Sequence, residues 1–213
     1  MDLDGTISGY VITEDSLKAM LEDVIAIDAD DNITFDIKSI IQIREESEYG
    51  GLRVSLAANL ENTKIPFKLD VSTGDAITPR PVEFSHKLMF TEERIEILAY
   101  NTETILAEKY ETIISRSVEN TRMRDFYDVY ILTKTQSYND DIFRIAVGRT
   151  SETRHSLEHI VNAESIIAEI KINSTMRNLW QNYQEEYDYA KDISWDMTIA
   201  AVENLNRIES EGE

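Results

Sequence analysis

The sequence predicts an α+β fold, with a sheet-bearing domain over residues 1–95 and a helical domain over residues 96–213. Between Ile33 and Val71, apolar and polar residues alternate with a period of two, which is typical of half-buried strands. After about residue 100, apolar residues recur at intervals of three and four, which is typical of amphipathic helices. We therefore expect a mixed or antiparallel sheet with helices, followed by an α-helical C-terminal domain.

The first domain should hold one helix and three strands. The helix is expected after its N-cap Thr13, because apolar residues recur there at helical spacing. The strands cover residues 33–37, 52–58 and 65–71, and their short, turn-rich connections favour an antiparallel meander. Pro66 has no amide hydrogen to donate, which predicts an edge position for the last strand.

The second domain should be built from helices. Asn101 or Thr102 can cap a helix through ILAEKYETIISR, and a second amphipathic helix is expected through TRMRDFYDVYILTK. From about Asp140 the pattern predicts two or three more helices, which include TMRNLWQNYQEEYDYA and SWDMTIAAVENLNRI. Tyr183, Tyr187 and Tyr189 are interpreted as packing residues in this region.

Composition excludes several classes of function. The 213 residues contain 21 Lys and Arg against 41 Asp and Glu, so the formal net charge is −20 and any contact with nucleic acid must be local. Without cysteine, the chain has no disulfide, thiolate metal site or cysteine nucleophile, and three histidines leave little room for His-based sites. No signal peptide or membrane span is recognisable, so we expect a cytoplasmic protein without membrane contacts.

Three carboxylates can meet on one face of the predicted sheet. Asp2 and Asp4 are two residues apart, so on a strand both point to the same side. On its own strand, Asp70 points to the side opposite the apolar residues, so its carboxylate can join those of Asp2 and Asp4. Three carboxylates on the open face of a small sheet are typical of the Mg²⁺ site of nucleotidyl-transfer enzymes.

Two other interpretations of the acidic motif stay open. These acids could be ordinary solvated residues in a chain rich in carboxylates. Alternatively, DLDGTI resembles the nucleophile loop of haloacid-dehalogenase-type phosphatases, with Asp2 as the nucleophile and Asp4 as the acid/base. That loop follows a buried parallel strand, however, whereas the strands here indicate an antiparallel meander.

A local cationic region follows in the helical domain. Lys109 and Arg116 are seven residues apart, which places them on one helix face, about 20° short of two full turns. Arg122 and Arg124 complete a group of four cations within sixteen residues, enough for a phosphate site on an acidic chain. An exposed, solvated helix face is the alternative.

The cationic region overlaps an RxxDxxDV run. Arg122, Asp125 and Asp128 step by three along a helix and form a polar stripe. A carboxylate beside Lys109 and two arginines would be held ionised and oriented, as a general base must be. Alternatively, the aspartates only complement the dipole at the helix N-terminus.

The sequence thus contains four elements: the Asp2/Asp4 motif, Asp70, the Lys109/Arg116 pair and the RxxDxxDV run. In their order and spacing they resemble the AbiEii/AbiGii-type toxin nucleotidyltransferases of bacterial toxin–antitoxin and phage abortive-infection systems. The KxxAxxxR element of that family is met at Lys109 and Arg116, with Thr112 in place of Ala. Its RxxDxxDL element is met from Arg122, with Val129 in place of Leu. The resemblance extends over most of the chain.

The resemblance implies a nucleotidyltransferase-like fold and a reaction. A nucleotide would pass from an NTP to a hydroxyl group of an RNA, such as tRNA, or of a protein, with Mg²⁺ as cofactor and an antitoxin as partner. The implied roles are metal ligands (Asp2, Asp4, Asp70), phosphate contacts (Lys109, Arg116, Arg122) and catalysis at the attacking hydroxyl (Asp125).

Members of that family carry a Gly-rich turn upstream of the DxD motif, where backbone amides hold the triphosphate. The chain printed here begins one residue before that motif. We therefore expect in-frame coding sequence upstream to contain such a turn, and the chain as printed to bind nucleotide weakly. The remaining alternative is a non-catalytic interaction module that binds its partner through the helical half.

Overall fold

The computed structural model describes residues 2–7, 9–10, 12–43, 51–74 and 76–211. The chain divides into two compact units, Met1–Asp75 and Ala76–Glu213. The first carries a sheet and one helix, and the second carries a hairpin and a set of helices. The α+β class with a helical C-terminal region is therefore confirmed. The domain boundary expected between residues 95 and 96 stays a prediction, because compactness does not test where a functional domain ends.

The first unit contains a four-stranded sheet in the order β1-β4-β3-β2. Its elements are β1 (Asp2–Ile7), α1 (Glu14–Ile25), β2 (Thr34–Ile43), β3 (Gly51–Leu60) and β4 (Thr63–Thr73). Strands β2, β3 and β4 form the antiparallel meander that the turn-rich connections predict. Because β1 joins β4 in parallel, the sheet is mixed.

The predicted edge position of the last strand, β4, is wrong. Strand β4 lies between β1 and β3. Pro66 is tolerated there because β1 is short and pairs only with Lys68–Thr73, so that Pro66 has β3 as its neighbour, opposite Ala57. The proline therefore marks the part of β4 that β1 does not reach, and it does not mark an edge strand.

One face of this sheet packs against α1. Leu17 of the helix and four strand residues are buried together, namely Leu52, Val54, Leu56 and Val71. The predicted N-cap is confirmed, because Thr13 and Ser16 form a reciprocal capping box at the start of α1. The opposite face carries the polar residues of β1, β3 and β4, which are therefore available for chemistry.

The second unit begins with a hairpin and continues with seven helices within residues 76–211. The elements are β5 (Val82–Lys87), β6 (Arg94–Ala99), α2 (Thr102–Arg116), α3 (Met123–Thr135), α4 (Asp140–Thr153), α5 (Leu157–Val161), α6 (Ala163–Ile172), α7 (Ser174–Glu186) and α8 (Trp195–Ser210). The two long helices predicted before residue 140 are confirmed. The hairpin was not predicted, and five helices replace the two or three expected afterwards, because short α5 and α6 show too few turns for a clear period.

Helices α2, α3, α7 and α8 share one apolar core. Phe126 of α3 is fully buried and its ring centroid lies 5.1 Å from that of Trp195 in α8. Trp180 of α7 is also buried, and its Nε1 donates a hydrogen bond to the carbonyl oxygen of Ile193 at 2.9 Å. This core fixes the start of α3 beside α2 and α7. Among the described ranges, no helix is both long and apolar enough to cross a bilayer.

Candidate functional site

The polar face of the first sheet brings two of the predicted metal ligands to neighbouring positions. Asp4 of β1 is paired with Asp70 of β4 in the parallel register, and paired residues point to the same side of a sheet. Asp2 lies two positions before Asp4 on β1, but its side chain is outside the described part of the structure. The strand register thus places Asp4 and Asp70 on one face.

Arg53 is a further member of this face that the sequence reasoning missed. It lies opposite Asp70 in the β3–β4 register. Its Nε donates to Asp70 Oδ1 at 2.7 Å, and its second guanidinium nitrogen donates to Oδ2 at 2.6 Å. These hydrogen bonds, with the Coulombic attraction of Arg53, hold the pKa of Asp70 below its ordinary value of 3.8. To predict this role of Arg53 from the sequence, the β3–β4 register would have had to be known.

Carboxylate oxygens are suitable ligands for Mg²⁺, and Asp4 and Asp70 provide them on one face. Among the side chains that the structure describes, no group of three His, Cys, Asp or Glu residues converges on a common point. The third predicted ligand, Asp2, lacks a described side chain, and both oxygens of Asp70 are bonded to Arg53. The donor type fits a divalent cation, and Arg53 competes for one of the donors.

The second unit brings the two other predicted motifs together. Lys109 of α2 places its Nζ 2.7 Å from Asp125 Oδ1 and 3.1 Å from Asp128 Oδ2 of α3. The Asp125 side chain is only 7% exposed. Its other oxygen, Oδ2, is buried and has no hydrogen-bond partner within the described chain. A buried acceptor of this kind is normally satisfied, so a donor from outside the chain, either a water or a ligand, is the expected partner.

Lys109 is held as a cation. Burial alone would lower its pKa, but the Coulombic attraction of Asp125, the hydrogen bond to Asp125 and the same two effects from Asp128 outweigh it. The pKa of Lys109 therefore lies above its ordinary value of 10.5. Lys109 cannot act as a base near neutral pH, and it serves to hold and orient the two aspartates.

A cavity of about 490 Å³ opens beside this ion pair. Its described lining comprises Lys109, Thr121, Arg122, Met123, Arg124, Asp125, Leu179, Asn182, Tyr183, Glu186 and Tyr187. Three cations and two carboxylates thus face one space in a chain of net charge −20. Arg116, which is exposed in the last turn of α2, is not among these residues. The predicted phosphate ligands therefore divide, with Lys109 and Arg122 at the cavity and Arg116 elsewhere on the same helix.

Aromatic rings form one wall of the cavity. The ring of Tyr183 stacks on the buried Trp180 at 5.4 Å, and the ring of Tyr187 lies 4.7 Å from that of Tyr183. Burial, together with a hydrogen bond to Tyr189, raises the pKa of the Tyr183 hydroxyl, so this wall is uncharged. The two tyrosines pack, as interpreted from the sequence, and they also line the cavity, which helix periodicity alone could not indicate.

Comparison with known proteins identifies a family that matches most of the chain. The family model described as "Nucleotidyl transferase AbiEii toxin, Type IV TA system" matches residues 1–201. The crystal structure of JHP933 from Helicobacter pylori is 15% identical, with a TM-score of 0.42 over 99% of this chain and 75% of that one. A second H. pylori crystal structure, provisionally assigned as a nucleotidyltransferase, is 16% identical, with a TM-score of 0.40 over 99% of this chain and 78% of that one. Comparison with curated proteins found no match.

Proposed function

We propose that this chain, which belongs to the AbiEii family of nucleotidyl transferase toxins of type IV toxin–antitoxin systems, transfers a nucleotide from an NTP to an RNA hydroxyl in a Mg²⁺-dependent reaction. The observation that supports this proposal best is the Lys109–Asp125 pair at a cationic cavity. The chemistry of nucleotidyl transfer requires a group to take the proton of the attacking hydroxyl and cations to meet the phosphates. The cavity residues include a carboxylate that could take the proton, Asp125, and cations that could meet the phosphates, such as Lys109 and Arg122.

Asp125 is the proposed base. Lys109 holds its Oδ1, which leaves Oδ2 as the acceptor for the proton of the attacking hydroxyl. The hydroxyl oxygen would then attack the α-phosphorus of the NTP, and pyrophosphate would leave. Lys109 and Arg116 are the proposed contacts to the phosphate oxygens of the NTP, and Arg122 is a further proposed phosphate contact at the cavity.

Mg²⁺ is the proposed cofactor, held by Asp2, Asp4 and Asp70. When bound, it would neutralise phosphate charge during the transfer. The shared face of Asp4 and Asp70 supports this assignment. Arg53 donates to both oxygens of Asp70 and would therefore compete with the cation for this carboxylate. A cognate antitoxin is the proposed protein partner, in line with the family description.

RNA is favoured over protein as the acceptor because cationic and aromatic side chains line the same cavity. The family match disfavours the haloacid-dehalogenase-type alternative, which needs a parallel sheet around its nucleophile. The sheet does so too, because β1 lies at its edge with one parallel neighbour, β4, and the remaining strands form an antiparallel meander.

The direct test is incubation of the protein with α-labelled NTP, Mg²⁺ and total RNA. We expect label in RNA, and we expect Asp125→Asn to slow its appearance about 100-fold or more, the usual contribution of a general base. Asp141→Asn is the matched control, because Asp141 is 78% exposed at the start of another helix. Transfer at an unchanged rate in Asp125→Asn would contradict the role of Asp125.

Metal binding provides a separate test that needs no activity. Mn²⁺ or Mg²⁺ should raise the melting temperature, because a ligand that binds the folded state stabilises it. The increase should disappear in Asp70→Ala. A melting temperature that does not respond to either cation would mean that the three carboxylates do not form a metal site, and would favour a non-catalytic interaction module.

A further inference from the structure

We infer that the cavity beside Lys109 and Asp125 binds the terminal nucleoside of a single-stranded RNA acceptor, with its base stacked on Tyr187 and its adjoining phosphate at Arg122 and Arg124. This inference rests on the proposed function, because it identifies the group that carries the attacking hydroxyl. It assigns a role to the aromatic wall, which none of the sequence motifs includes.

The aromatic wall is supported from behind. Trp180 is buried, its indole nitrogen is bonded to Ile193, and the ring of Tyr183 stacks on it at an interplanar angle of 28°. Tyr187, half-buried just after the end of α7, extends this series of rings into the cavity. Bases of single-stranded nucleic acid stack on such rings without a strong sequence preference. A ring held by packed neighbours loses little conformational freedom when a base stacks on it.

The two arginines at the cavity, Arg122 and Arg124, fit one phosphodiester group better than a triphosphate. Lys109 already contacts two carboxylates, which offset its charge. Arg122 is exposed and lines the cavity, and Arg124, which is 79% exposed and also lines it, has its Nε 3.9 Å from Asp128 Oδ2. Two guanidinium groups can meet the single charge of a phosphodiester, whereas an NTP brings several charges and needs a metal ion as well.

Asp125 provides the third contact. Asp125 lines the cavity, and its Oδ2 is a buried acceptor that lacks a donor within the described residues. A ribose hydroxyl is such a donor. The cavity volume of about 490 Å³ is also in the range of pockets that hold one small organic ligand, about 300 to 1,000 Å³. Base, phosphate and hydroxyl of one terminal nucleotide are therefore each matched by a side chain.

The test is a binding measurement without NTP or metal. A short single-stranded RNA with a free 3′-hydroxyl and a 5′-fluorophore is titrated with protein, and the fluorescence anisotropy is recorded. We expect Tyr187→Leu to weaken binding about tenfold, whereas Tyr187→Phe, which keeps the ring, should bind within about twofold of the parent protein. Tyr10→Leu is the control for loss of a tyrosine that is 76% exposed elsewhere.

Arg124→Gln is a second variant, chosen because an exposed side chain can be replaced without affecting folding. It should weaken binding and lower the dependence of the affinity on salt by about one counterion. Equal affinities for the parent protein, Tyr187→Leu and Arg124→Gln would overturn the inference. So would complete displacement of the RNA by NTP at equimolar concentration, because the cavity would then belong to the donor nucleotide.

These results separate the inference from the proposed function. Tyr187-dependent RNA binding by a protein that transfers no label would support the acceptor site and contradict the transferase. Transfer of label to protein alone, with RNA binding that does not depend on Tyr187, would support nucleotidyl transfer and contradict the acceptor site.

Discussion

Lys109 Nζ lies 2.7 Å from Asp125 Oδ1, although sixteen residues separate the two in the chain. The contact joins the KxxAxxxR element on α2 to the RxxDxxDV element on α3, and Asp128 completes it at 3.1 Å. Two motifs that look independent in the sequence therefore form one charged unit. The cation orients one oxygen of Asp125, and the other oxygen is buried without a donor among the described residues.

The first prediction concerns this ion pair. Lys109→Met keeps the apolar stem but leaves Asp125 without its cation and Asp128 with Arg124 at 3.9 Å. We expect the free energy of unfolding to fall by about 2 kcal/mol, because a mostly buried carboxylate loses its partner. Urea denaturation at neutral pH measures the change.

The exposed pair of Lys171 and Glu203, also at 2.7 Å, provides the control. Lys171→Met should cost less than about 1 kcal/mol, because both of its side chains are well solvated. Equal losses in the two variants would mean that burial adds nothing to the Lys109–Asp125 pair.

The second prediction concerns pH. Because Arg53 lowers the pKa of Asp70 in the folded protein, the ionised form of Asp70 stabilises the fold above its ordinary value of 3.8. This contribution is lost as the pH falls through the lower folded value. Asp70→Asn should therefore cost about 1 kcal/mol at about pH 6 and clearly less at about pH 3. Urea denaturation with a chelator present measures the loss of stability at both pH values.

Asp23→Asn, an exposed position in α1 of the same unit, should change stability by less than about 0.5 kcal/mol at either pH. A difference between Asp70→Asn and the parent protein that grows toward low pH would contradict the assigned direction.

The third prediction concerns the start of α2, the helix that carries Lys109. Asn101 is 8% exposed, and its Oδ1 accepts from the Thr104 amide at 2.8 Å while its Nδ2 donates to the carbonyl oxygens of Thr78 and Arg80. Asn101→Ala removes the cap and the two hydrogen bonds to these carbonyl oxygens, at a cost of about 2 kcal/mol. Thermal unfolding followed by circular dichroism measures the loss.

The N-cap of α4 provides the comparison. Asn139 accepts from the Ile142 amide at 3.0 Å and is exposed, so Asn139→Ala should cost only about 1 kcal/mol. A smaller loss in Asn101→Ala than in Asn139→Ala would show that the bonds to Thr78 and Arg80 do not contribute.

The fourth prediction concerns the core beneath the cavity. Phe126 is fully buried against Trp195, so Phe126→Ala should lower the free energy of unfolding by about 3 to 5 kcal/mol. The same substitution at Phe90, which is 92% exposed, should change it by less than about 0.5 kcal/mol. Similar effects at the two positions would contradict this account of the core.

Local features of the chain were readable from the residues alone. The cap at Thr13, the alternation in β2 to β4 and the helical spacing around Lys109 depend on neighbours within a few positions. Backbone geometry converts such spacing directly into a shared face. The same rule places Asp2 and Asp4 on one side of β1. The four motifs in order also sufficed to indicate the family.

The contacts between distant segments required the folded chain. Arg53 reaches Asp70 through the β3–β4 register, and Lys109 reaches Asp125 because the apolar core sets the packing of α3 against α2. The wall of Tyr183 and Tyr187 faces the cavity for the same reason. Periodicity states which face of an element is apolar but not which element covers it, since packing partners are chosen by the shape and volume of the whole core.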